Sequence, residues 1–339
     1  MNTRILLIQL RQIGDILLTT PVIRALKLSH PNLHVSFLTH PMGRLVLKDN
    51  PYLDEHLVIA SGMMEQIKGL RHLRSRNFNI VFDFMGNPRS SLAAFCTGAK
   101  TRVGVSSARD FLYTQVVPRI SGEDYIVLEK FRMINALGFD ASDVRLDFPW
   151  DKNDLITPQN WLNLHSPASQ AAPRIILSPT HRREARRWCD DKWVALATKL
   201  VDEFKASVIW AWGPGEEDEV SKLAGLCSRK TFKAPKTSLR ELGALIGQCE
   251  LFIGNSNGPS HIAVAVNTPS IQLHGPTDAP SWCPFTPRHA AVAKSSMASI
   301  DVPDVLDAVS QLKSSVYQEI AIRGRITSWE IARTERPQL

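Results

Sequence analysis

The chain has 339 residues, 44% of them hydrophobic, which is long enough and apolar enough for two domains of ordinary size. Its five cysteines show no paired spacing, so neither a zinc site nor a disulfide framework is expected and a reducing compartment is favoured. The net charge of +7 favours an acidic partner, a class that includes nucleic acid, an anionic membrane and a phosphorylated substrate.

The N-terminal segment predicts a strand followed by a helix. Residues 4–10 (RILLIQL) form a short apolar run, and the segment TTPVIRALKLS that follows has helical spacing. Arg11 and Asp15 interrupt the apolar residues, so neither a signal peptide nor a membrane span is expected here. No other stretch reaches the roughly 18 apolar residues that span a bilayer. We therefore expect a cytoplasmic protein.

Strands and helices alternate through the rest of the first half. Strands are predicted at residues 34–40, 55–60 and 79–86, with a helix at 63–76 between the last two. Because parallel strands need helical crossovers, this alternation predicts a parallel sheet that is covered by helices on both faces.

A linker-like stretch separates this half from a second alternating half. Residues 144–173 are polar and contain prolines, and a domain boundary is predicted near residue 165. The strands predicted beyond it lie at 174–180, 207–212, 251–255 and 270–275, and the helices at 191–205, 216–227, 238–249 and 259–266. The chain is therefore predicted to be an α/β protein of two doubly wound domains, with ligands at the carboxyl ends of the strands.

The loops after these strands lack the common nucleotide-binding motifs. Neither half has G-x-G-x-x-G after its first strand, and G-x-x-x-x-G-K-[ST] is absent, which argues against a dinucleotide oxidoreductase and a P-loop NTPase. The acidic run EEDE (216–219) opens a predicted helix and complements its dipole, and no clear D-x-D pair is present to hold a metal. Catalysis is therefore expected to proceed without a metal and without a cofactor.

A lone acid, Asp15, stands between the first strand and the following helix, in the stretch LLIQLRQIGDILLTTPVIRALK. Its carboxylate is placed to cap the helix by accepting hydrogen bonds from free backbone N–H groups. Because it also follows the carboxyl end of a strand, it could instead point into a cleft and accept a proton from a substrate. The residues alone leave both interpretations open.

The segment LFIGNSNGPSHIAVAV (251–266) predicts an anion site. Its strand ends at Asn255, Gly258 permits close approach of the backbone, and Pro259 suits the first position of a helix. The free N–H groups at such a helix start favour a phosphate or diphosphate. His261 in the first turn is a candidate to contact phosphate or ribose, or alternatively to be satisfied by the local backbone.

Basic and acidic residues follow two further strands. The basic cluster consists of Arg182, Arg183, Arg186 and Arg187. On a helical turn these arginines would form one patch suited to phosphate, although a solvated basic face or a nucleic-acid surface are alternatives. Glu216 and Glu217 follow a Gly-Pro-Gly turn and are placed either to reach ribose hydroxyls or to complement a helix start.

Four segments, in this order and spacing, carry a resemblance to a known family. They are QLRQIGDILLTTPVIRALK, SPTHRREARRW, GPGEE and NSNGPSHIAVAVNTPSIQLHGPTDAPSW. Over nearly its full length the chain resembles glycosyltransferase family 9, the ADP-heptose:lipopolysaccharide heptosyltransferases. The portion SPT…RRWCDDKW looks most like the heptosyltransferase III branch.

The resemblance implies a GT-B fold, in which two Rossmann-like, doubly wound domains face a central cleft. Residues 1–165 are then expected to bind the acceptor, and residues 166–315 the nucleotide sugar. The helix predicted at 301–318 leads into the last segment, 316–339, which by analogy returns as a helix and tail to the N-terminal domain.

The resemblance also implies an inverting, metal-independent transfer of heptose from ADP-heptose to a hydroxyl of the lipopolysaccharide core on lipid A. Asp15 matches the family's catalytic base, Arg186 stands where a donor-phosphate lysine usually stands, and Glu216 or Glu217 matches a nucleotide-binding glutamate. The donor-binding residues expected on this basis are Thr180, Arg182, Arg186, Arg187, Lys192, Glu216, Glu217, Ser256, Asn257, Gly258 and His261. The expected acceptor-binding residues are Arg11 and Gly14.

The donor loop departs from the family pattern. Family members commonly carry Asp followed by Ser or Thr before the glycine, whereas this chain has Ser256 and Asn257, so Asn255 or Asn257 is expected to substitute for the carboxylate. The change leaves open a different nucleotide sugar, a polysaccharide acceptor, or a homologue that binds nucleotide sugar without transferring it. Nucleic acid is not expected as a partner.

The positive charge suits the acceptor that the resemblance implies. Lipopolysaccharide core carries phosphates and sits on an anionic membrane, so Arg11, Arg24 and Lys27 are expected to steer association. We therefore expect peripheral attachment to the inner membrane from the cytoplasm.

Overall fold

The computed structural model describes residues 3–59, 63–119, 122, 124–166 and 172–322. It divides the chain into two compact units, Met1–Pro149 and Trp150–Leu339. Each unit is built around one sheet of six parallel strands, which confirms the predicted α/β class.

The first unit alternates strands and helices along the chain. Its strands are β1 (Arg4–Ile8), β2 (His34–Thr39), β3 (Glu55–Val58), β4 (Ile80–Asp83), β5 (Thr101–Val105) and β6 (Gln115–Val117). Its helices are α1 (Ile13–Leu17), α2 (Thr20–Ser29), α3 (Arg44–Leu47), α4 (Met63–Ser75), α5 (Pro88–Cys96) and α6 (Ile126–Asn135). The strand order is β3-β2-β1-β4-β5-β6.

Strand β1 lies at the centre of the first sheet. Ile5 pairs with Val35 of β2 on one side and with Ile80 of β4 on the other. Residues 5–8 of β1 are all fully buried, because helices cover both faces of the sheet and leave no side that faces water. This continuous apolar run is the feature that made β1 readable from the sequence.

The second unit repeats the same plan. Its strands are β7 (Arg174–Ser178), β8 (Ser207–Trp210), β9 (Phe232–Lys233), β10 (Leu251–Asn255), β11 (Ser270–His274) and β12 (His289–Ala293). Its helices are α7 (Lys152–His165), α8 (Asp190–Phe204), α9 (Glu217–Leu226), α10 (Leu239–Gly247), α11 (Gly258–Ala265), α12 (Ala279–Trp282) and α13 (Val302–Ile322). The strand order is β12-β11-β10-β7-β8-β9.

The stretch predicted as a linker contains helix α7. The Asp151 side chain caps its first turn by accepting hydrogen bonds from the backbone of Asn153 and Asp154. The buried Arg240 of α10 then holds the helix through Asp154, at 2.8 Å. Since α7 packs against α10, the two units divide at Pro149 and not near residue 165. Its polar composition and internal proline conceal this helix in the sequence.

Both sheets have the strand order of the Rossmann fold. Read from the far edge, each runs third, second, first, fourth, fifth and sixth strand. The order reverses beside the first strand, so crevices open at the carboxyl ends of β1 and β4 in one unit and of β7 and β10 in the other. The loop with Asp15 follows β1, and the loop with Asn257 follows β10.

The last described element is helix α13, close to its predicted bounds. It packs on the second unit, where Val305, Val309 and Leu312 are buried in a cluster that also contains Trp188. The predicted return of residues 316–339 to the first unit concerns side chains and a tail that lie outside the described residues. Of the helices in the described ranges, none is both long and apolar enough to cross a membrane.

Candidate functional site

Asp15 lies in the turn that follows the carboxyl end of β1. It is half-buried and is the third residue of α1, and its Oδ2 accepts a hydrogen bond from the backbone N–H of Gln12 at 2.9 Å. Asp15 therefore takes part in capping, but as the third helical residue bonded back to the N-cap Gln12; the expectation that it caps a segment starting at Ile16 is wrong. Within the described residues Oδ1 makes no hydrogen bond. The same carboxylate thus retains one oxygen that could receive a proton.

Arg11 and Gly14, the residues predicted to contact the acceptor, both lie in the same turn as Asp15. Gly14 is buried in the first turn of α1, and Arg11 is exposed at the start of the turn.

The steering role predicted for Arg24 and Lys27 is wrong. Arg24 is buried and paired with Asp147, and Lys27 bonds both oxygens of Asp54 at 2.8 Å, so their charges are neutralised inside the unit.

Sequence reasoning missed two buried ionisable groups beside this turn. Asp83, the last residue of β4, accepts hydrogen bonds from the Tyr113 hydroxyl at 2.7 Å and the Met85 N–H at 2.9 Å, and burial raises the pKa of its carboxyl. Lys130 of α6 is 5% exposed. An acid that ends a strand was a readable signal for Asp83, whereas a lysine inside an amphipathic helix is normally read as solvated.

At the carboxyl ends of β7 and β10, one side chain joins the two loops. Asn257 is the N-cap of α11, and its Oδ1 accepts a hydrogen bond from the Ser260 N–H at 3.3 Å. Its Nδ2 donates to the carbonyl of the buried Thr180, at 3.1 Å, in the loop after β7. The helix begins at Gly258, so its free N–H groups lie where the sequence predicts an anion site.

The neighbouring Asn255 is a structural residue. It is fully buried, its Nδ2 donates to the Pro179 carbonyl at 2.7 Å, and its Oδ1 accepts from the Trp188 N–H at 3.3 Å. Because Asn255 is closed off from any ligand by this burial, only the half-buried Ser256 and Asn257 are left in the place of the family's acid. The expectation that Asn255 substitutes for the family's acid is therefore wrong.

The structure distinguishes the two candidate glutamates. Oε2 of Glu216 accepts hydrogen bonds from the Thr180 hydroxyl and the Gly213 N–H, both at 2.8 Å, and so faces the loop after β7. Glu217 instead pairs with Lys233 at 2.8 Å and its side chain is 51% exposed. Glu216 is thus the acid that belongs to the β7–β10 crevice.

Arg186 and Arg187 of the basic cluster are half-buried, whereas Arg182 and Arg183 are exposed. Burial, with the Arg186 charge as a smaller contributor, lowers the pKa of His181 and lowers that of His274, at the end of β11, to about 4. In the described part of the chain no carboxylate forms an ion pair with Arg186. A half-buried, unneutralised guanidinium at this edge is suited to an anionic ligand.

Two other predicted phosphate ligands are engaged within the unit. Arg187 pairs with Asp190 at 2.7 Å and with Glu219 at 2.9 Å. Lys192 pairs with Asp301 at 2.7 Å and donates to two backbone carbonyls before α13. Because their charges are already satisfied, these side chains brace the loop and α13.

His261 is an uncharged group in the first turn of α11. It is 4% exposed, and burial lowers its pKa to about 4, so the imidazole is neutral near pH 7. Its Nδ1 has no hydrogen-bond partner among the described residues, and its ring lies 6.1 Å from that of Trp282, between centroids. A buried polar atom of this kind usually meets a ligand or water.

The described residues contain no group of three His, Cys, Asp or Glu side chains that could hold a metal ion. None of the five cysteines, all of which lie in the described ranges, forms a disulfide.

Comparisons with known proteins identify the same family that the sequence motifs indicated. The sequence model of glycosyltransferase family 9 (heptosyltransferase) matches residues 67–307. Lipopolysaccharide heptosyltransferase 3 of Escherichia coli K12 is 29% identical over 300 residues, which cover 82% of this chain and 84% of that protein.

Solved structures agree on the fold. A glycosyl transferase family 9 structure from Veillonella parvula DSM 2008 has a TM-score of 0.82 at 20% identity and covers 92% of this chain and 97% of its own. The ADP-heptose lps heptosyltransferase II of E. coli has a TM-score of 0.73 at 21% identity and covers 94% and 99%. The two-unit architecture is thus shared over nearly the whole length of each protein.

Proposed function

The chain belongs to glycosyltransferase family 9, and we propose that this glycosyltransferase moves a heptose from ADP-heptose to a hydroxyl of the lipopolysaccharide core. The E. coli relative is named a lipopolysaccharide heptosyltransferase 3, and the E. coli structure is described as an ADP-heptose enzyme. These names support the sugar, the nucleotide and the heptosyltransferase III branch.

The observation that carries the proposal is the chemistry gathered at the β7–β10 crevice. The N–H groups at the Asn257-capped start of α11 and the guanidinium of Arg186 suit a diphosphate. The Glu216 carboxylate, held by Thr180, suits the hydroxyls of a ribose. A nucleoside diphosphate sugar needs both kinds of contact, and we therefore assign donor binding to the second unit.

The reaction is a single displacement. The acceptor oxygen attacks the anomeric carbon on the face opposite the diphosphate, the new C–O bond forms, and the bond to the diphosphate oxygen breaks with its electron pair leaving on ADP. One displacement inverts the configuration. The acceptor hydroxyl loses its proton to a carboxylate, and such general-base help contributes roughly 10²- to 10⁴-fold to the rate.

Asp15 is the proposed base. Its Oδ2 is held by the Gln12 N–H, which orients the carboxylate, and Oδ1 is the oxygen that would take the proton. Helix capping and proton transfer are therefore compatible in one side chain. Arg11 and Gly14 of the same turn are the proposed acceptor contacts, because the acceptor hydroxyl must reach Asp15.

The leaving group develops negative charge, which groups of the second unit can stabilise without a metal. Arg186 and the start of α11 supply positive potential that is fixed before the reaction, and the neutral His261 can donate a hydrogen bond. Because these groups already offset the charge of the diphosphate, we propose that the transfer is metal-independent.

Attachment to an anionic membrane is proposed through helix α5. Leu92 and Phe95 lie on one face of this helix and are 47% and 50% exposed, and Phe111 in the adjoining turn is 79% exposed. Arg89 is exposed on the same helix, and Arg102 lies 5.6 Å from the Phe95 ring centroid. Apolar side chains bordered by arginines suit the boundary between acyl chains and anionic headgroups.

Release of ADP from ADP-heptose, measured with truncated lipopolysaccharide acceptors, tests this function. We expect acceptor-dependent release by the wild type and a 10²- to 10⁴-fold lower rate for Asp15→Asn, because Asn keeps the hydrogen-bond acceptor of the cap but not the base. ADP affinity and melting temperature should match the wild type. Asp140→Asn, an exposed acid of the same unit, is the matched control and should keep full activity.

Other outcomes would identify the alternatives. Full activity of Asp15→Asn would leave Asp15 as a helix cap only. Turnover with UDP or GDP sugars in place of ADP-heptose would assign another donor. Binding of ADP-heptose without transfer to any acceptor would identify a non-catalytic homologue.

A further inference from the structure

Lys130 is a buried cation that the proposed reaction has not yet used. It lies in α6 of the first unit and is 5% exposed. Its Nζ donates to Oε1 of Gln9 at 3.2 Å and stands 4.9 Å from the centroid of the Phe84 ring. A buried ammonium is costly when its close contacts are a neutral amide and a ring face, so its presence calls for a physical reason.

Hydrogen bonds lead from this ammonium to the turn that holds Asp15. Gln9, just past β1, accepts from Lys130 through Oε1 and donates through Nε2 to the carbonyl of Arg11. The next residue, Gln12, donates its N–H to Oδ2 of Asp15 at 2.9 Å. One side chain and two consecutive backbone residues therefore join the cation to the carboxylate.

Charges converge on Lys130 from four elements. Asp15 of α1 favours its protonated form most strongly, followed by Glu129 of α6 and Asp83 of β4, whereas Arg119 after β6 opposes it. Burial outweighs these attractions and lowers the pKa of Lys130 to about 8. The side chain is therefore predominantly charged at pH 7 and loses its proton above about pH 8.

We propose that Lys130 is a positioning residue for Asp15: through Gln9 its charged ammonium holds the β1–α1 turn, and with it the Asp15 carboxylate, in place. This inference rests on the proposed role of Asp15 as the base. A buried charge that faces the reacting carboxylate but is out of reach of solvent can act in this way without touching the substrate.

The pH dependence of kcat and kcat/KM in Lys130→Met and Lys130→Arg tests the inference. In Lys130→Met we expect kcat near pH 7 to fall about 10-fold, because Gln9 loses the charged partner through which the β1–α1 turn is held, and we expect no decline of the rate near pH 8, because the titrating group has been removed. The KM for ADP-heptose should change less than about 2-fold, since the donor is bound by the other unit. The wild-type rate should decline above about pH 8, and Lys130→Arg should move that decline upward.

The controls separate positioning from stability and from the base itself. Lys27→Met removes a lysine paired with Asp54 in the same unit and should leave the profile unchanged. A merely structural Lys130 would give a lower melting temperature or a loss of rate equal at every pH, and either result, like a wild-type profile in Lys130→Met, overturns the inference. Asp15→Asn in the same assay distinguishes the two failures. If that variant is inactive while Lys130→Met is normal, only the role of Lys130 fails, whereas an active Asp15→Asn removes the base and with it this inference.

Discussion

At the scale of single residues, the partner of a charge determines what the charge can do. Arg186 and Arg187 are adjacent in a cluster that the sequence presents as one patch. Arg187 is neutralised by Asp190 and Glu219, while no carboxylate of the described chain pairs with Arg186. The proposed phosphate contact therefore falls on Arg186, and the same reasoning separates Glu216 from Glu217.

Exchanging each glutamate for glutamine tests that separation. We expect Glu216→Gln to raise the KM for ADP-heptose and the Kd for ADP about 10-fold, because a hydrogen bond to a charged carboxylate contributes roughly 1.5–3 kcal/mol. The KM for the acceptor should stay within about 2-fold. Steady-state kinetics and calorimetric titration with ADP measure both quantities.

Glu217→Gln is the matched control for this prediction. It makes the same chemical change one residue further on, where the carboxylate pairs with Lys233 and is half exposed. We expect donor and acceptor constants within about 2-fold of the wild type. Equal effects of the two substitutions would show that general negative potential, and not a specific contact of Glu216, governs donor affinity.

At the scale of elements, helices differ in whether their exposed face carries apolar residues. Several helices expose apolar side chains, and α5 exposes two on one face, Leu92 and Phe95, beside the exposed Arg89. Helix α7 also exposes apolar side chains, Ile156 and Leu164, in the other unit. The two helices therefore offer a direct comparison between a basic apolar face and an apolar face outside the proposed membrane surface.

Substituting the exposed residues of α5 tests membrane attachment. We expect the double variant Leu92→Ser, Phe95→Ser to bind vesicles containing phosphatidylglycerol at least about 10-fold more weakly, because full burial of such a side chain contributes about 1.5–3 kcal/mol and about half of each side chain is still exposed in the free protein. Binding by the wild type should weaken at high salt and be absent with phosphatidylcholine alone. Cosedimentation measures the bound fraction.

The control for the membrane prediction is the double variant Ile156→Ser, Leu164→Ser in α7, which should bind like the wild type. Transfer to a water-soluble acceptor should be unchanged in both double variants, since surface substitutions of this kind typically alter stability by less than about 0.5 kcal/mol. Equal loss of vesicle binding in both would contradict a specific α5 surface.

At the scale of the whole molecule, the two units carry buried ionisable groups of opposite kind. The second unit buries His261, His274 and His289, and burial lowers their pKa to about 4, 4 and 3. In the first unit Asp83 is buried and Asp147 is half-buried, and burial raises the pKa of both carboxyls. In the first unit the half-buried His34 and His56, whose pKa values burial also lowers, respond to acid as the second unit's histidines do, whereas the two carboxyls respond in the opposite direction.

The sign of this effect predicts which unit opens first in acid. An unfolded histidine binds a proton below about pH 6.5, whereas these folded ones stay neutral down to about pH 4. The unfolded state thus binds more protons in that range, and the free energy of unfolding of the second unit falls as pH drops, by up to about 3 kcal/mol for each histidine. The carboxyls of Asp83 and Asp147 in the first unit cause no such loss. Their pKa values are raised in the folded state, so the folded unit binds these protons more readily than the unfolded chain does.

Hydrogen exchange on the full chain at pH 7 and pH 5 measures the order of opening. After correction for intrinsic rates, β10 and β11 should lose protection before β1 and β4. In His289→Gln this pH dependence should be smaller, whereas the exposed His72→Gln should keep it. Simultaneous loss in both units, or earlier loss in β1, would contradict the prediction.

The order of elements was largely predictable from local patterns. Buried parallel strands such as β1, β7 and β10 read as continuous apolar runs, and α8 and α10 show helical spacing with recognisable starts. Short or polar elements were not predictable from local patterns. Strand β9 has two residues, and α7 is polar with an internal proline, so only its packing against α10 shows that it belongs to the second unit.

The sequence by itself determined the α/β alternation, the family motifs, and the places of Asp15 and Gly258 after strands, because these depend on neighbours along the chain. Tertiary structure alone decided which charges are neutralised, as Arg24 is by Asp147 and Arg187 by Glu219. It also placed Lys130 beside the turn that holds Asp15. Electrostatic energy depends on distance and burial in space, and residues 121 positions apart, such as Gln9 and Lys130, meet only when the sheet and its helices have formed.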